Sequence, residues 1–121
     1  MKQFDKTNIL LIEDNPGDSR LFSEYLEEIP QLNYQLNVAR SLGEAIKKLQ
    51  SNQFSIVFTD LNLPDSNQLK TLEQIVDINP PCPIIVITGL DNRELGIEAI
   101  KMGADDYLFK SSINSQLIEK T

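Results

Sequence analysis

Histidine is absent from this chain of 121 residues. Its absence excludes histidine-based general acid–base catalysis, a Ser–His–Asp triad and any metal site with imidazole ligands. It also means that the chain cannot carry a phosphohistidine.

Cysteine is nearly absent, since Cys82, between Pro81 and Pro83, is the only one. An internal disulfide is therefore impossible, and the simplest role for Cys82 is that of a small loop residue. No apolar stretch has the length of a secretory signal or a membrane span. These features predict a protein of the reducing cytoplasm.

Basic residues are also few, with 11 lysines and arginines against 18 acidic residues and a net charge of −7. This balance disfavours direct binding of nucleic acid, which requires a basic footprint for phosphates. The chain has no internal repeat, low-complexity segment or composition break. We therefore expect residues 1–121 to form one domain, whose short last helix is what an excised or truncated domain would have.

Five apolar runs alternate with amphipathic segments. The central one, Phe54–Asp60, is too continuous for a strand with one wet face, so it predicts a strand buried on both faces. Strands that alternate with helices pair in parallel through right-handed crossovers, which predicts a doubly wound α/β fold. The other predicted strands are Asn8–Glu13, Tyr34–Val38, Ile84–Thr88 and Asp106–Lys110.

Capping residues mark the ends of the predicted helices. The candidates for helix starts are Pro16 or Asp18, Ser41 with Glu44, Asp91 with Glu94, and Ser112 or Asn114. Gly103 is predicted to end the fourth helix. The core-facing side of that helix is predicted to comprise Leu95, Ile97, Ala99 and Ile100.

Polar residues stand where the strands end. Open parallel sheets bind ligands outside the carboxyl ends of their strands. If the first and third strands are neighbours, their ends lie about 5 Å apart, which brings Glu13, Asp14 and Asp60 into one cleft. Three ionised carboxylates in one cleft repel each other, and a divalent cation relieves the repulsion. Mg²⁺ fits such oxygen ligands best, and no sulfur or imidazole is offered to zinc.

Asp60 is the predicted reactive residue. A carboxylate can attack phosphorus to give an aspartyl-phosphate, a reaction that needs charge neutralisation and positioning. Lys110 would supply a second cation, the Thr88 hydroxyl would donate to a phosphoryl oxygen, and Gly89 would leave room for the group. Each residue alone has an ordinary role in a turn or on the surface, so the combination carries the prediction.

Four segments in this order resemble the receiver domain of two-component response regulators. They are I-L-L-I-E-D-N (9–15), F-T-D-L-N-L-P-D (58–65), I-I-V-I-T-G (84–89) and A-I-K-M-G-A-D-D-Y-L-F-K (99–110). The resemblance covers essentially the whole chain. It implies the CheY-like, flavodoxin-like fold, with a five-stranded parallel sheet of order 2-1-3-4-5 and helices on both faces.

The resemblance also implies residue roles. Asp60 corresponds to the phosphoacceptor, and Lys110 to the lysine that pairs with the phosphoryl group. Thr88 corresponds to the switch hydroxyl and Tyr107 to the aromatic residue that turns inward with it. The magnesium ligands would be the carboxylates of Glu13, Asp14 and Asp60 and the backbone carbonyl of Asn62.

The implied function is a switch in phosphorelay signalling rather than an enzyme acting on external substrates. A sensor histidine kinase or histidine phosphotransfer protein would donate the phosphoryl group in the presence of Mg²⁺. The response would change the face formed by the fourth helix, fifth strand and fifth helix. That face would bind a downstream protein or output domain, or a second copy of the chain.

The chain departs from the family pattern at two positions. Gln68 stands where the family usually has glycine, and Ser111 where it usually has proline with a cis bond, a form that is costly for other residues. One alternative is therefore an interaction module that does not respond to phosphate. Another is a magnesium-dependent phosphatase with an aspartyl nucleophile, although such enzymes usually have a second acidic residue two positions after the nucleophile, where this chain has Asn62. The family tunes phosphoryl lifetime partly at Asn62 and Leu90.

Overall fold

The computed structural model of the chain describes residues 6–66, 68–89 and 93–121. Strands and helices alternate along them as the apolar runs predict. The strands are β1 Thr7–Ile12, β2 Tyr34–Ala39, β3 Ile56–Asp60, β4 Ile84–Thr88 and β5 Asp106–Phe109. The helices are α1 Pro16–Glu27, α2 Leu42–Ser51, α3 Gln68–Ile78, α4 Arg93–Met102 and α5 Ser115–Lys120.

The five strands form one parallel sheet in the order β2-β1-β3-β4-β5. This is the predicted order, with β1 and β3 as neighbours. Ile9–Ile12 pairs in register with Ile56–Thr59, so that both strands end at the same edge of the sheet. The fold is thus the CheY-like, flavodoxin-like fold.

A layer of helices covers each face of the sheet. Alternate residues of β1 point to opposite faces: Leu10 and Ile12 belong to the hydrophobic cluster with α2, α3 and α4, whereas Ile9 and Leu11 belong to the cluster with α1 and α5. All five residues of β4 are buried, as expected for a strand covered on both faces. Among the described residues, no helix is both long and apolar enough to span a membrane.

Polar side chains cap three of the helices. Helix α1 begins at Pro16, and the side chain of Asn15 accepts a hydrogen bond of 3.0 Å from the backbone N–H of Asp18. Asn114 caps α5 in the same way. In α2, the Ser41 hydroxyl accepts from the N–H of Glu44 at 3.2 Å, as the capping box predicts. The predicted cap at Asp91 and the position of Leu90 lie outside the described residues.

The prediction for the core-facing side of α4 was wrong at Ile97 and Ile100. Their side chains are 44% and 39% exposed, whereas Gly96 and Ala99 are buried. The reason is the ring of Tyr107 on β5, which lies against Gly96 and occupies the space that a larger side chain would need. The helix therefore turns its two small residues toward the sheet. Gly103 ends the helix with a positive φ of 132°, as predicted.

The two departures from the family pattern have different backbone consequences. Gln68, the first residue of α3, has a φ of 53°, in the left-handed region that glycine enters without strain. The described residues contain no cis peptide bond, so the bond between Lys110 and Ser111 is trans.

Candidate functional site

Three carboxylates meet at the carboxyl edge of the sheet. Glu13 directly follows β1, and Asp60 is the last residue of β3. Glu13, Asp14 and Asp60 each offer an oxygen within 4.8 Å of the other two. Glu13 and Asp60 are 3% and 7% exposed, while Asp14 lies on the surface. The cluster is therefore buried on one side and open to solvent on the other, as expected for a cleft.

Backbone hydrogen bonds hold the two buried carboxylates. The N–H of Asn15 donates to Glu13 Oε2 at 3.2 Å, and the N–H of Asn62 donates to Asp60 Oδ1 at 3.0 Å. The Glu13 backbone itself is fixed by a bond of 2.9 Å from its N–H to the carbonyl of Ala39 at the end of β2. Both carboxylates are thus oriented by the loops that follow their strands.

The ammonium of Lys110 lies among the carboxylates. Its Nζ is 2.7 Å from Glu13 Oε1, 2.8 Å from Asp18 Oδ2 and 2.9 Å from Asp60 Oδ2. Lys110 follows β5 in a single 3₁₀ turn, Lys110–Ser112, and reaches the cluster with a trans bond to Ser111. The structure therefore brings Lys110, Glu13 and Asp60 together as the sequence predicts.

Burial and ion pairing act in opposite directions on these groups. Burial raises the pKa of Glu13 above its ordinary value, although the hydrogen bond from Lys110 partly opposes the rise. Burial alone would lower the pKa of Lys110, but its hydrogen bonds to Asp18, Asp60 and Glu13 outweigh that effect and raise it. Lys110 is therefore a permanent cation at neutral pH.

The predicted switch residues lie on the neighbouring strands. Thr88 ends β4 and is 4% exposed. A Cβ atom on Gly89 would lie 3.8 Å from Lys110 Cδ, so the lysine stem passes over this glycine at ordinary contact distance. Tyr107 is half-buried on β5 and makes an edge-on contact with Phe109, with ring centroids 5.5 Å apart.

Two residues of the site were missed by the sequence analysis. Asp18 was considered only as a helix-opening residue, yet its carboxylate contacts Lys110. Arg40 follows β2, and its Nη1 donates to Ser19 Oγ at 2.9 Å and to the Glu13 carbonyl at 3.4 Å. Asp18 comes soon after β1 and Arg40 directly after β2. Both could therefore have been identified from their positions at the edge of the sheet where Glu13 and Asp60 were expected.

The donor set of the cluster fits a hard divalent cation. All the available ligand atoms are carboxylate oxygens, which Mg²⁺ and Ca²⁺ prefer, and among the described residues no other group of three acidic or sulfur-bearing side chains is close enough. Lys110 already places a positive charge against Glu13 and Asp60. The cluster is therefore a place where the fold favours cations.

Comparison with known proteins identifies the family. The family model described as the response regulator receiver domain matches residues 9–121. The chain is 27% identical over 106 residues to the transcriptional regulatory protein ZraR of Escherichia coli K12, which covers 88% of the chain and 23% of ZraR. The chain thus spans about a quarter of that relative's length.

Solved structures agree with the family match. A CheY-like receiver domain protein from Methanospirillum hungatei is 26% identical with a TM-score of 0.80, covering 96% of this chain and 90% of that one. A response regulator from Burkholderia pseudomallei was solved with a phosphorylated aspartic acid, a calcium ion and citrate. It is 30% identical with a TM-score of 0.79, covering 95% of this chain and 65% of that one. This chain belongs to the response regulator receiver domain family of two-component systems.

Proposed function

We propose that the protein is a phosphorylation-driven switch in a phosphorelay, with Asp60 as the phosphoacceptor. The observation that supports this most directly is the Lys110 ammonium 2.9 Å from a carboxylate that ends a central strand. The Burkholderia pseudomallei relative was solved with a phosphorylated aspartic acid, which supports phosphorylation of an aspartate as the chemistry of this chain.

The proposed step is a single phosphoryl transfer. An oxygen of Asp60 attacks phosphorus of a phosphohistidine on a histidine kinase or phosphotransfer protein, forming an O–P bond as the N–P bond breaks. The leaving imidazole takes up a proton from solvent. Lys110 stabilises the negative charge on the phosphoryl oxygens, and the backbone N–H of Asn62 orients the attacking carboxylate. The chain lacks histidine, so the donor is another protein.

The proposed ligands of Mg²⁺ are the carboxylates of Glu13, Asp14 and Asp60 and the backbone carbonyl of Asn62. When bound, Mg²⁺ supplies neutralisation of charge on the carboxylates and the phosphoryl oxygens. Glu13 and Asp60 are buried and pre-oriented by the backbone. Exposed Asp14 completes the set at the open side, from which the donor's phosphoryl group enters.

The response follows from charge. A phosphoryl group adds about −1.5 to −2 of charge and new acceptor oxygens. The Thr88 hydroxyl and the Lys110 ammonium bind those oxygens, and Tyr107 on β5 moves with Thr88. Because Tyr107 packs on Gly96, its movement changes the surface of α4 and β5. That surface already exposes Ile97 and Ile100, and we assign it to a downstream protein or output domain.

The test uses acetyl phosphate as donor and intact-mass spectrometry as readout, with and without Mg²⁺. We expect one phosphoryl group to be added, only with Mg²⁺, and to be lost in Asp60→Asn. Asp77→Asn, which removes an exposed carboxylate of α3, is the matched control and should be phosphorylated as the wild type is. A label that persists in Asp60→Asn overturns the assignment of the phosphoacceptor.

Two other results would assign a different function. If neither acetyl phosphate nor a phosphorylated histidine donor modifies the wild type, the chain is an interaction module that does not respond to phosphate. Repeated turnover of a phosphomonoester would instead make it a phosphatase. Sedimentation before and after phosphorylation distinguishes a second copy of the chain from another protein as the partner of α4 and β5.

A further inference from the structure

Asp18 contacts the phosphorylation site from a separate element. It lies in the first turn of α1, where its backbone N–H donates to the Asn15 side chain at 3.0 Å. Its Oδ2 accepts a hydrogen bond of 2.8 Å from Nζ of Lys110, which is 92 residues away in the chain. The contact thus joins the start of α1 to the turn after β5.

The three contacts of Lys110 are not equivalent. An ammonium has three N–H donors, and here each faces one carboxylate: Glu13, Asp18 and Asp60. Glu13 and Asp60 belong to the group of oxygens suited to a cation, whereas Asp18 does not. A cation on Glu13 and Asp60 competes with Lys110 for those oxygens. The contact with Asp18 involves no such competition.

Among the described residues, the ammonium of Lys110 forms its ion pairs with these three carboxylates. The side chain is a flexible four-carbon stem, and the turn Lys110–Ser112 has no side-chain hydrogen bond at its start. Asp18, by contrast, sits on a capped helix of twelve residues. Asp18 is therefore held on a capped helix, whereas Lys110 reaches it through a long side chain.

We propose that Asp18 is a positioning residue that keeps the Lys110 ammonium at the site when a divalent cation occupies Glu13 and Asp60 and when Asp60 is phosphorylated. The inference rests on the proposed function and deepens it, because it assigns the positioning of the Lys110 ammonium to a residue that is not a proposed ligand of Mg²⁺. Without Asp18, the lysine stem swings toward solvent and the phosphoryl oxygens lose a donor for part of the time.

The first experiment follows Lys110 directly and needs no phosphoryl transfer. The wild type and Asp18→Asn are acetylated briefly with an N-hydroxysuccinimide ester, with and without Mg²⁺, and the modified lysines are quantified by peptide mass spectrometry. With Mg²⁺ we expect Lys110 to react about fivefold faster in Asp18→Asn, because the neutral amide can offer only a weaker hydrogen bond in place of the ion pair. Without Mg²⁺, Glu13 and Asp60 still hold Lys110, and the difference should be smaller.

Matched controls separate positioning from a general loss of structure. The rate at exposed Lys101 should be the same in both proteins. Glu24→Gln removes another carboxylate of α1, one paired with Arg20 at 3.6 Å on the surface, and should leave Lys110 unchanged. If Lys110 reacts at the wild-type rate in Asp18→Asn with Mg²⁺ present, or if all lysines react faster, the inference is wrong.

The second experiment measures the rate of phosphorylation by acetyl phosphate at saturating Mg²⁺. We expect Asp18→Asn to be about tenfold slower, the size of effect typical for residues that orient a reactive group, and Asp18→Glu to recover part of the rate. In a Lys110→Ala background, Asp18→Asn should slow the reaction no further. An equal slowing in both backgrounds overturns the inference, whereas a wild type that accepts no phosphoryl group overturns the proposed function and leaves the acetylation result to decide the role of Asp18.

Discussion

The ring of Tyr107 lies directly against the backbone of Gly96. A Cβ atom on Gly96 would fall far inside contact distance of the ring carbons, so an alanine there requires the ring to move. Because Tyr107 is only half-buried, its ring can move toward solvent. The pair therefore links the position of a predicted switch residue to the identity of one small residue on α4.

We predict that Gly96→Ala destabilises the protein by about 1–3 kcal/mol through overpacking. The measurement is urea denaturation of the variant and the wild type. In a Tyr107→Ala background the same substitution should instead stabilise by up to about 1 kcal/mol, because alanine favours a helix over glycine. The same destabilisation in both backgrounds would mean that the ring is not the cause.

At Gln68, by contrast, we predict a substitution that stabilises the protein. Its φ of 53° is unfavourable for a residue with a Cβ atom, so Gln68→Gly should raise the free energy of unfolding by about 0.5–1 kcal/mol. Gln74→Gly, at an exposed position within α3, is the matched control and should lower it by about 1 kcal/mol. Thermal denaturation of both variants tests the pair, and a loss of stability in Gln68→Gly contradicts the strain argument.

Thr71 joins α3 to the loop that follows Asp60. Its buried hydroxyl donates to the Leu61 carbonyl at 2.8 Å and lies 2.9 Å from the Ser66 hydroxyl. We expect Thr71→Val, which keeps the shape and removes the hydroxyl, to cost about 1–3 kcal/mol because a buried carbonyl loses its donor. Ser66→Ala should cost less. Chemical denaturation that finds Thr71→Val as stable as the wild type would contradict this role.

Asp65 caps α2 from a distant loop. Its two carboxylate oxygens accept from the N–H groups of Leu42 and Gly43 at 2.8 and 2.9 Å, and these bonds lower the pKa of Asp65 below its ordinary value of 3.8. The folded protein therefore favours the ionised carboxylate. The stabilisation that this cap gives is present above pH 3.8 and is lost as the pH falls through the lower pKa of Asp65 in the folded protein.

Removal of this cap should show the same pH dependence. Asp65→Ala should lower stability at pH 7 by about 1 kcal/mol, as loss of a helix cap usually does, and the gap to the wild type should narrow below pH 3.8. Denaturation of both proteins across an acid pH series measures the gap. A gap that stays constant down to the lowest pH would show that the ionised carboxylate does not matter.

The sequence predicted the sheet well because its strands are short apolar runs that end at polar residues. Ile84–Thr88 was predicted to the residue, and Glu13 and Asp60 meet because parallel neighbours end at one edge. Contacts made by long side chains could not be predicted in this way. The reach of Lys110 to Asp18 depends on how the turn after β5 faces α1, which no local pattern encodes.

The face of α4 was mispredicted for a related reason. A search for apolar periodicity counts Ile97 and Ile100 as core residues and gives no weight to Gly96. The packing is decided instead by the Tyr107 ring on a neighbouring strand. The cap from Asp65 was missed because it acts on a helix that begins 23 residues earlier.

Strand β5 contributes to both layers of the molecule. Tyr107 packs with the cluster that contains α4, whereas Leu108 packs with the cluster that contains α1 and α5, and Lys110 follows them directly into the site. A mutation in this strand therefore alters two surfaces and the pocket together. Packing on the two faces of the sheet is therefore linked, through one short strand, to the side chain that reaches Asp60.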